Sequence, residues 1–119
     1  MDKVNLSDKL KLVNDYWKPK VVGELNDSYV KVAKLKGEFL WHHHENEDEL
    51  FWVIKGTLII KFRDKDIVIN EGELLIVPRG VEHMPAAEEE VQVILIEPVS
   101  TLNTGNVVSE RTVENPDKI

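Results

Sequence analysis

The four histidines of this chain fall in two places, His42-His43-His44 together and His83 alone. His42 and His44 are two residues apart, so on a β-strand both rings point to one face and His43 points to the other. Glu49 follows five residues after His44 in the acidic run Glu45-Asn46-Glu47-Asp48-Glu49 and can fold back beside the pair. With His83 arriving from a distant strand, three neutral nitrogens and one anionic oxygen converge. That donor set suits a divalent transition metal and leaves coordination positions open. His42, His44, Glu49 and His83 are therefore the candidate metal ligands, and His43 is left out of the set.

The elements that must position these groups read as short strands. An amphipathic helix is expected over residues 5–14, with Leu6, Leu10 and Val13 on one stripe and Ser7 or Asn5 as its cap. Pro19 ends any helix and favours extended chain. Strands are then expected at Lys20–Leu25, Ser28–Leu35, Glu38–His44, Glu49–Ile54, Thr57–Arg63, Ile67–Asn70, Glu73–Val77, Val81–Met84 and Val91–Glu97. Turn signals separate them, including Asn26-Asp27, Lys55-Gly56, Glu71-Gly72 and Pro78-Arg79-Gly80. Such spacing indicates an all-β sandwich or barrel. No segment long enough for a helical crossover interrupts it, which argues against a parallel α/β fold. Residues 101–119 read as an extended tail that would dock on its own barrel or on a neighbouring subunit.

A length of 119 residues fits one domain, with a barrel core at about 20–100 and a helical arm at 1–19. With no cysteine in the chain, disulfides, thiolate metal sites and thiol nucleophiles are excluded. The formal net charge is −7, and residues 1–36 carry eight lysines against five acids, so the acidity lies in the remainder. An acidic body repels nucleic acid and anionic membrane alike, so neither is expected as a partner. The amino terminus lacks the pattern of a signal peptide, and a cytoplasmic location is the expected default.

The spacing His42-x-His44-x4-Glu49-x6-Gly56 resembles the first motif of the cupins, with Gly37 near the glycine that opens it. Gly72-x5-Pro78-x-Gly80-x2-His83 resembles the second. The likeness is to small single-domain bacterial cupins, many carrying a sugar-isomerase-like label. It implies a double-stranded β-helix, the jelly-roll barrel, and a metal held by the same four residues. Where many cupins close the second motif with asparagine, this chain has Ala87, so a polar orienting group near the site is missing.

A site of this kind would take one divalent ion per chain: Zn, Ni, Fe or Mn. Iron or manganese would suit dioxygenase chemistry on a small oxygenated molecule; zinc would act as a Lewis acid in isomerase or lyase chemistry. A noncatalytic binding or sensing module is the alternative, because a fold alone does not establish an activity. Leu40, Phe51 and Val53 are expected to line the pocket behind the ligands. Lys61, Arg63 and Arg79 offer a small cationic patch for a phosphate, although exposed strand lysines usually protect edges.

If the ligands face inward, strand alternation turns Phe39, Trp41, Leu50, Trp52 and Ile54 outward. A monomer rarely exposes so large an apolar patch. The amino-terminal helix and Trp17 could cover it; the expectation is a twofold homodimer.

Overall fold

The computed structural model describes residues 1–119. One short helix, α1 (Leu6–Leu10), precedes seven strands: β1 (Lys20–Leu25), β2 (Ser28–Glu38), β3 (Glu49–Lys55), β4 (Leu58–Lys61), β5 (Asp66–Ile69), β6 (Leu74–Val77) and β7 (Met84–Pro98). All strand pairs are antiparallel, in the order β1-β2-β7-β3-β6, with β4 joining β7 and β5 joining β4. This is the all-β double-stranded β-helix expected from the sequence, with its short amino-terminal helix.

The long strand β7 is the spine. Its first residues pair with β4 at Ile60↔Pro85, and its later ones pair with β3 at Val53↔Val93 while β2 runs along its other side. The exposed Glu88-Glu89-Glu90 separates the two stretches. The expected strand Val91–Glu97 thus lies within β7, whereas of the expected strand Val81–Met84 only Met84 belongs to it and His83 forms an isolated bridge. Between the layers lies the main apolar core, which includes Ala33 and Leu35 of β2, Phe51 and Val53 of β3, Leu58 and Ile60 of β4, and Val93 and Leu95 of β7. On β3 and β4 these side chains alternate with exposed or half-buried ones, as a period of two requires; on β2 and β7 the adjacent Val32 and Ile94 are buried on the opposite face.

Two expected elements differ. The helix stops at Leu10 rather than residue 14. Asn5 caps it, its side chain accepting from the Asp8 N–H at 3.0 Å. The next turn tightens: Leu12 and Val13 donate to the Lys9 and Leu10 carbonyls, three residues back. That tightening carries Val13 into a second small core with Leu10, Val32 and Ile94. The expected stripe therefore forms, but only part of it is helical.

The segment expected as a strand at Glu38–His44 is irregular. β2 continues to Glu38 across a bulge between Leu35 and Gly37, where Gly37 has φ of 80°. Residues 39–44 then run beside residues 80–85 through isolated bonds: Phe39 N to Pro85 O, a reciprocal pair between His42 and His83, and Gly80 N to His44 O at 2.7 Å. Pro85 has no N–H to return, so a full ladder cannot form there.

The carboxyl-terminal tail docks on its own barrel. Val21 donates to Asp117 O and Ile119 donates to Val21 O, at 2.8 and 3.0 Å. Arg111 donates to the Glu38 and Phe39 carbonyls, each at 3.0 Å. No helix is long and apolar enough to cross a membrane.

Candidate metal centre

His42 and His83 face each other across their bridge, with ring centroids 4.5 Å apart. His44 lies on the same side, 5.0 Å from His42 between centroids. Glu49, the first residue of β3, reaches the same point: its Oε1 is 3.4 Å from His44 Nε2 and 3.5 Å from His83 Nε2. One donor atom from each of His42, His44, Glu49 and His83 lies within 4.8 Å of all the others, and all four residues are buried. His43 points away and meets the exposed Glu45 at 3.0 Å. The alternation read from the sequence thus survives the loss of a regular strand.

The local bonds select the right ring nitrogens. His42 Nδ1 lies 2.9 Å from Leu40 O, and His83 Nδ1 lies 2.8 Å from Val81 O. A carbonyl can only accept, so each Nδ1 carries the hydrogen and each Nε2 keeps a lone pair for the centre. Metal-ligating histidines are oriented in this way. Burial lowers the His42 pKa to about 4, helped by the neighbouring His83, so the ring is neutral at neutral pH.

Whether a metal fits is decided by the atoms left over. His44 Nδ1 and Nε2, Glu49 Oε1 and His83 Nε2 are buried without a hydrogen-bond partner. Buried polar atoms are normally satisfied. A cation at their meeting point would satisfy three of these four atoms at once, one from each residue. The residues present fit a divalent ion.

Beside the ligands, a small cavity of about 30 Å³ is lined by Trp17, Leu35, Phe39, Phe51, Leu95 and Pro85 among apolar groups, and by His42, Glu49, Glu97 and Asn103 among polar ones. Of the three expected lining residues, Phe51 is there, edge-on to His83 at 6.3 Å. Leu40 and Val53 are not in the lining. Val53 is fully buried in the apolar core, and Leu40 contributes its carbonyl to His42 instead. Phe39 faces in where it was expected to face out, because residues 39–41 lie in no strand and the period of two does not run back from His42 to Phe39. It stacks on Trp17, with centroids 4.9 Å apart and planes at 16°. Trp17 therefore walls the cavity and does not cover the outer sheet.

The expected cationic patch is spent elsewhere. Lys61 meets Glu38, Arg63 meets Glu82 at 2.6 Å while lying over the Trp41 ring, and Arg79 meets Asp48. None of the three lines the cavity. Ala87 is buried in the apolar core, in the place where a polar group was missed.

One residue of the site escaped the sequence reading. Glu97 is buried in the cavity wall and accepts a hydrogen bond from the buried Lys31 at 2.8 Å. Its strand position lies opposite Glu49, one step beyond the Leu50–Ile96 pair. Burial and the adjacent Glu49 charge push the Glu97 carboxyl well above the usual range, with Lys31 opposing. For Glu49, burial pushes upward, but the neighbouring Glu97, His44 and His83 side chains outweigh it and hold the carboxyl well below that range. A lysine on the inward side of Val30-Lys31-Val32-Ala33 and an acid at the end of an apolar strand were the available signals.

A double-stranded β-helix holding three histidines and one glutamate at its core defines the protein's class. Residues 28–98 match the family described as the cupin domain, and the chain belongs to that family. Among solved structures it is similar to a cupin-2 domain containing protein from Shewanella frigidimarina NCIMB 400, at 47% identity and a TM-score of 0.79. That likeness covers 80% of this chain and 93% of the other. It is also similar to the Bacillus subtilis (strain 168) protein YdbB, 43% identical over 63 residues, or 52% of this chain and 56% of YdbB. Acireductone dioxygenase of the same organism is 28% identical over 85 residues, 67% of this chain and 48% of that enzyme. The chain thus spans about half the length of these curated relatives.

Proposed function

We propose that the chain binds one divalent transition metal ion, Zn, Ni, Fe or Mn, through His42, His44, Glu49 and His83, and uses it on a small oxygenated molecule. The convergence of four buried donors, most without any other partner, carries this reading. The likeness to acireductone dioxygenase favours a dioxygenase-type reaction. An isomerase or lyase type is the other form, and a phosphorylated sugar suits it poorly because every cation of the expected patch is already paired.

When bound, the ion supplies Lewis acidity and, if it is iron or manganese, redox chemistry with oxygen. The chain's own groups do the rest. The Leu40 and Val81 carbonyls fix the tautomers of His42 and His83. Phe39, Phe51, Leu35 and Leu95 present an apolar wall that limits water and strengthens polar contacts inside. Trp17 and Phe39 give a flat surface for a planar substrate body. Glu97 is the remaining acid in the cavity and can share a hydrogen bond with a substrate oxygen.

A noncatalytic small-molecule or metal-binding module is the second reading; it is favoured by the scarcity of titratable groups in the cavity beyond the ligands and Glu97. Purified protein offered Fe, Mn, Ni and Zn should retain close to one equivalent of metal, and His44→Ala should retain almost none. Less than about a tenth of an equivalent on the parent protein defeats the metal reading, since preformed sites bind tightly. Oxygen uptake by the iron form with candidate enediols or diketones separates the catalytic reading from the binding one.

We further propose a cytoplasmic homodimer. Trp52 of β3 and Leu74 and Ile76 of β6 are 39%, 52% and 53% exposed, and they lie together because Trp52 pairs with Leu74 and Leu50 with Ile76. The α1 arm covers only the neighbouring part of this face, around Val32, Ile94 and Ile54. β6 ends the sheet, so its free backbone groups suit antiparallel pairing with the same strand of a second copy.

A further inference from the structure

Strands β3 and β7 place Glu49 and Glu97 next to each other. Leu50 pairs with Ile96 in antiparallel register, so Glu49 and Glu97 occupy the next opposed positions. Two carboxylates directly opposite on neighbouring strands repel each other unless a proton or a cation intervenes. Here Lys31 of β2 supplies the cation, with Nζ 2.8 Å from Glu97 Oε1, and both side chains are almost wholly buried. Around the trio the inward positions are apolar: Ala33, Leu35, Val93 and Leu95. The second oxygen of Glu97 is buried on the side of the cavity with no donor from any other residue.

A buried ion pair is a poor way to stabilise a core. Well-packed apolar residues of similar volume usually do as well or better. The Lys31–Glu97 pair sits beside a candidate metal ligand, where strand register sets Glu97 opposite Glu49. We propose that Glu97, anchored by Lys31, is a positioning residue that sets the orientation of the Glu49 carboxylate and with it the affinity and geometry of the metal site. This rests on the metal reading above. Without Glu97, the carboxylate of Glu49 keeps only His44 and His83 as neighbours on one oxygen and is free to rotate toward the cavity.

The test compares the parent chain with Glu97→Gln, Glu97→Leu and the double variant Lys31→Met/Glu97→Leu, using Co(II) as the reporter ion. Dissociation constants and visible absorption spectra are recorded, with thermal unfolding of each metal-free protein. Gln keeps an acceptor for Lys31 and a donor for Glu49, so its affinity should stay within about threefold of the parent, with an unchanged spectrum. Loss of an outer partner of this type typically weakens metal binding 10- to 100-fold, and that is expected for Glu97→Leu. Where the single Leu variant is unstable because Lys31 is left unpaired, the double variant removes both charges. It should melt at or above the parent temperature when metal-free, yet bind Co(II) at least tenfold more weakly with a shifted spectrum. A double variant with parental affinity and spectrum overturns the proposal, as does a Gln variant weakened as much as Leu. A parent protein that takes up no Co(II) overturns the metal reading itself, and the two failures are thereby told apart.

Discussion

Gly105, far along the carboxyl-terminal tail, packs directly on the backbone that carries His42. A β-carbon at Gly105 would collide with the His43 carbonyl and come within 3.1 Å of the His42 ring, and its φ is +58°. Asn106 reinforces this contact: its backbone N–H donates to His43 O, and its side chain accepts from the His43 N–H at 2.8 Å. The tail therefore packs against the candidate metal centre. It supports the irregular segment 39–44 from the side where β-ladder bonds are lacking.

Gly105→Ala should accordingly disturb the site. The strained backbone costs about 1 kcal/mol by itself, and the collision with backbone atoms adds to it. Gly80 is the control, with φ of +79° but nothing within 4 Å of an added β-carbon. We expect Gly80→Ala to lower stability by only about 1 kcal/mol, and Gly105→Ala to lower it by about 3 kcal/mol and weaken metal binding. Urea unfolding of both metal-free variants decides this; equal losses would remove the tail from the site.

Metal removal should lower the melting temperature. An ion held at 100 times its dissociation constant stabilises the native state by about 2.7 kcal/mol, which corresponds to roughly 10 °C in a domain of this size. Calorimetry before and after EDTA treatment should show that difference in the parent protein. His83→Ala, which removes a fully buried ligand, should melt at the same temperature with and without chelator.

The metal-free protein should lose stability in mild acid through His42. Its pKa falls from 6.5 to about 4 on folding because the ring is buried beside His83. Between those values the unfolded chain binds a proton that the folded chain refuses, so stability is complete above pH 6.5 and declines as the pH falls toward 4. The span corresponds to about 3 kcal/mol. Unfolding free energies at pH 7, 5.5 and 4.5 should decline less steeply for His42→Gln than for the parent. Parallel declines would show that His42 titrates normally.

Assembly is tested on the exposed face of β3 and β6. Sedimentation should give twice the mass of the 13.7 kDa chain for the parent. Ile76→Lys, on an exposed position, should give the monomer mass while retaining metal. A monomeric parent would leave that face without a second copy.

How much of this was legible in the residues follows from periodicity. His42 and His44 share a face, and His43 opposes them, because a period of two survives even where the strand is only a few isolated bonds. The stripe Leu6, Leu10 and Val13 was visible for a similar reason, although its last member is delivered by a tightened turn. Phe39 and Leu40 were misplaced because residues 39–41 follow no regular strand, so the period that places His42 and His44 does not extend back to them.

The sequence by itself determined the candidate ligand set, the all-β class and the cupin resemblance, since each depends on residue type and spacing. Only the tertiary structure decided what surrounds the ligands. Strand register set Glu97 opposite Glu49 and brought Lys31 to it across β2. Chain folding over more than sixty positions set Asn106 against His43, and Arg63, Lys61 and Arg79 found their carboxylates away from the cavity. These are contacts between distant segments, fixed by pairing and packing, and no local pattern encodes which distant partner a side chain will meet.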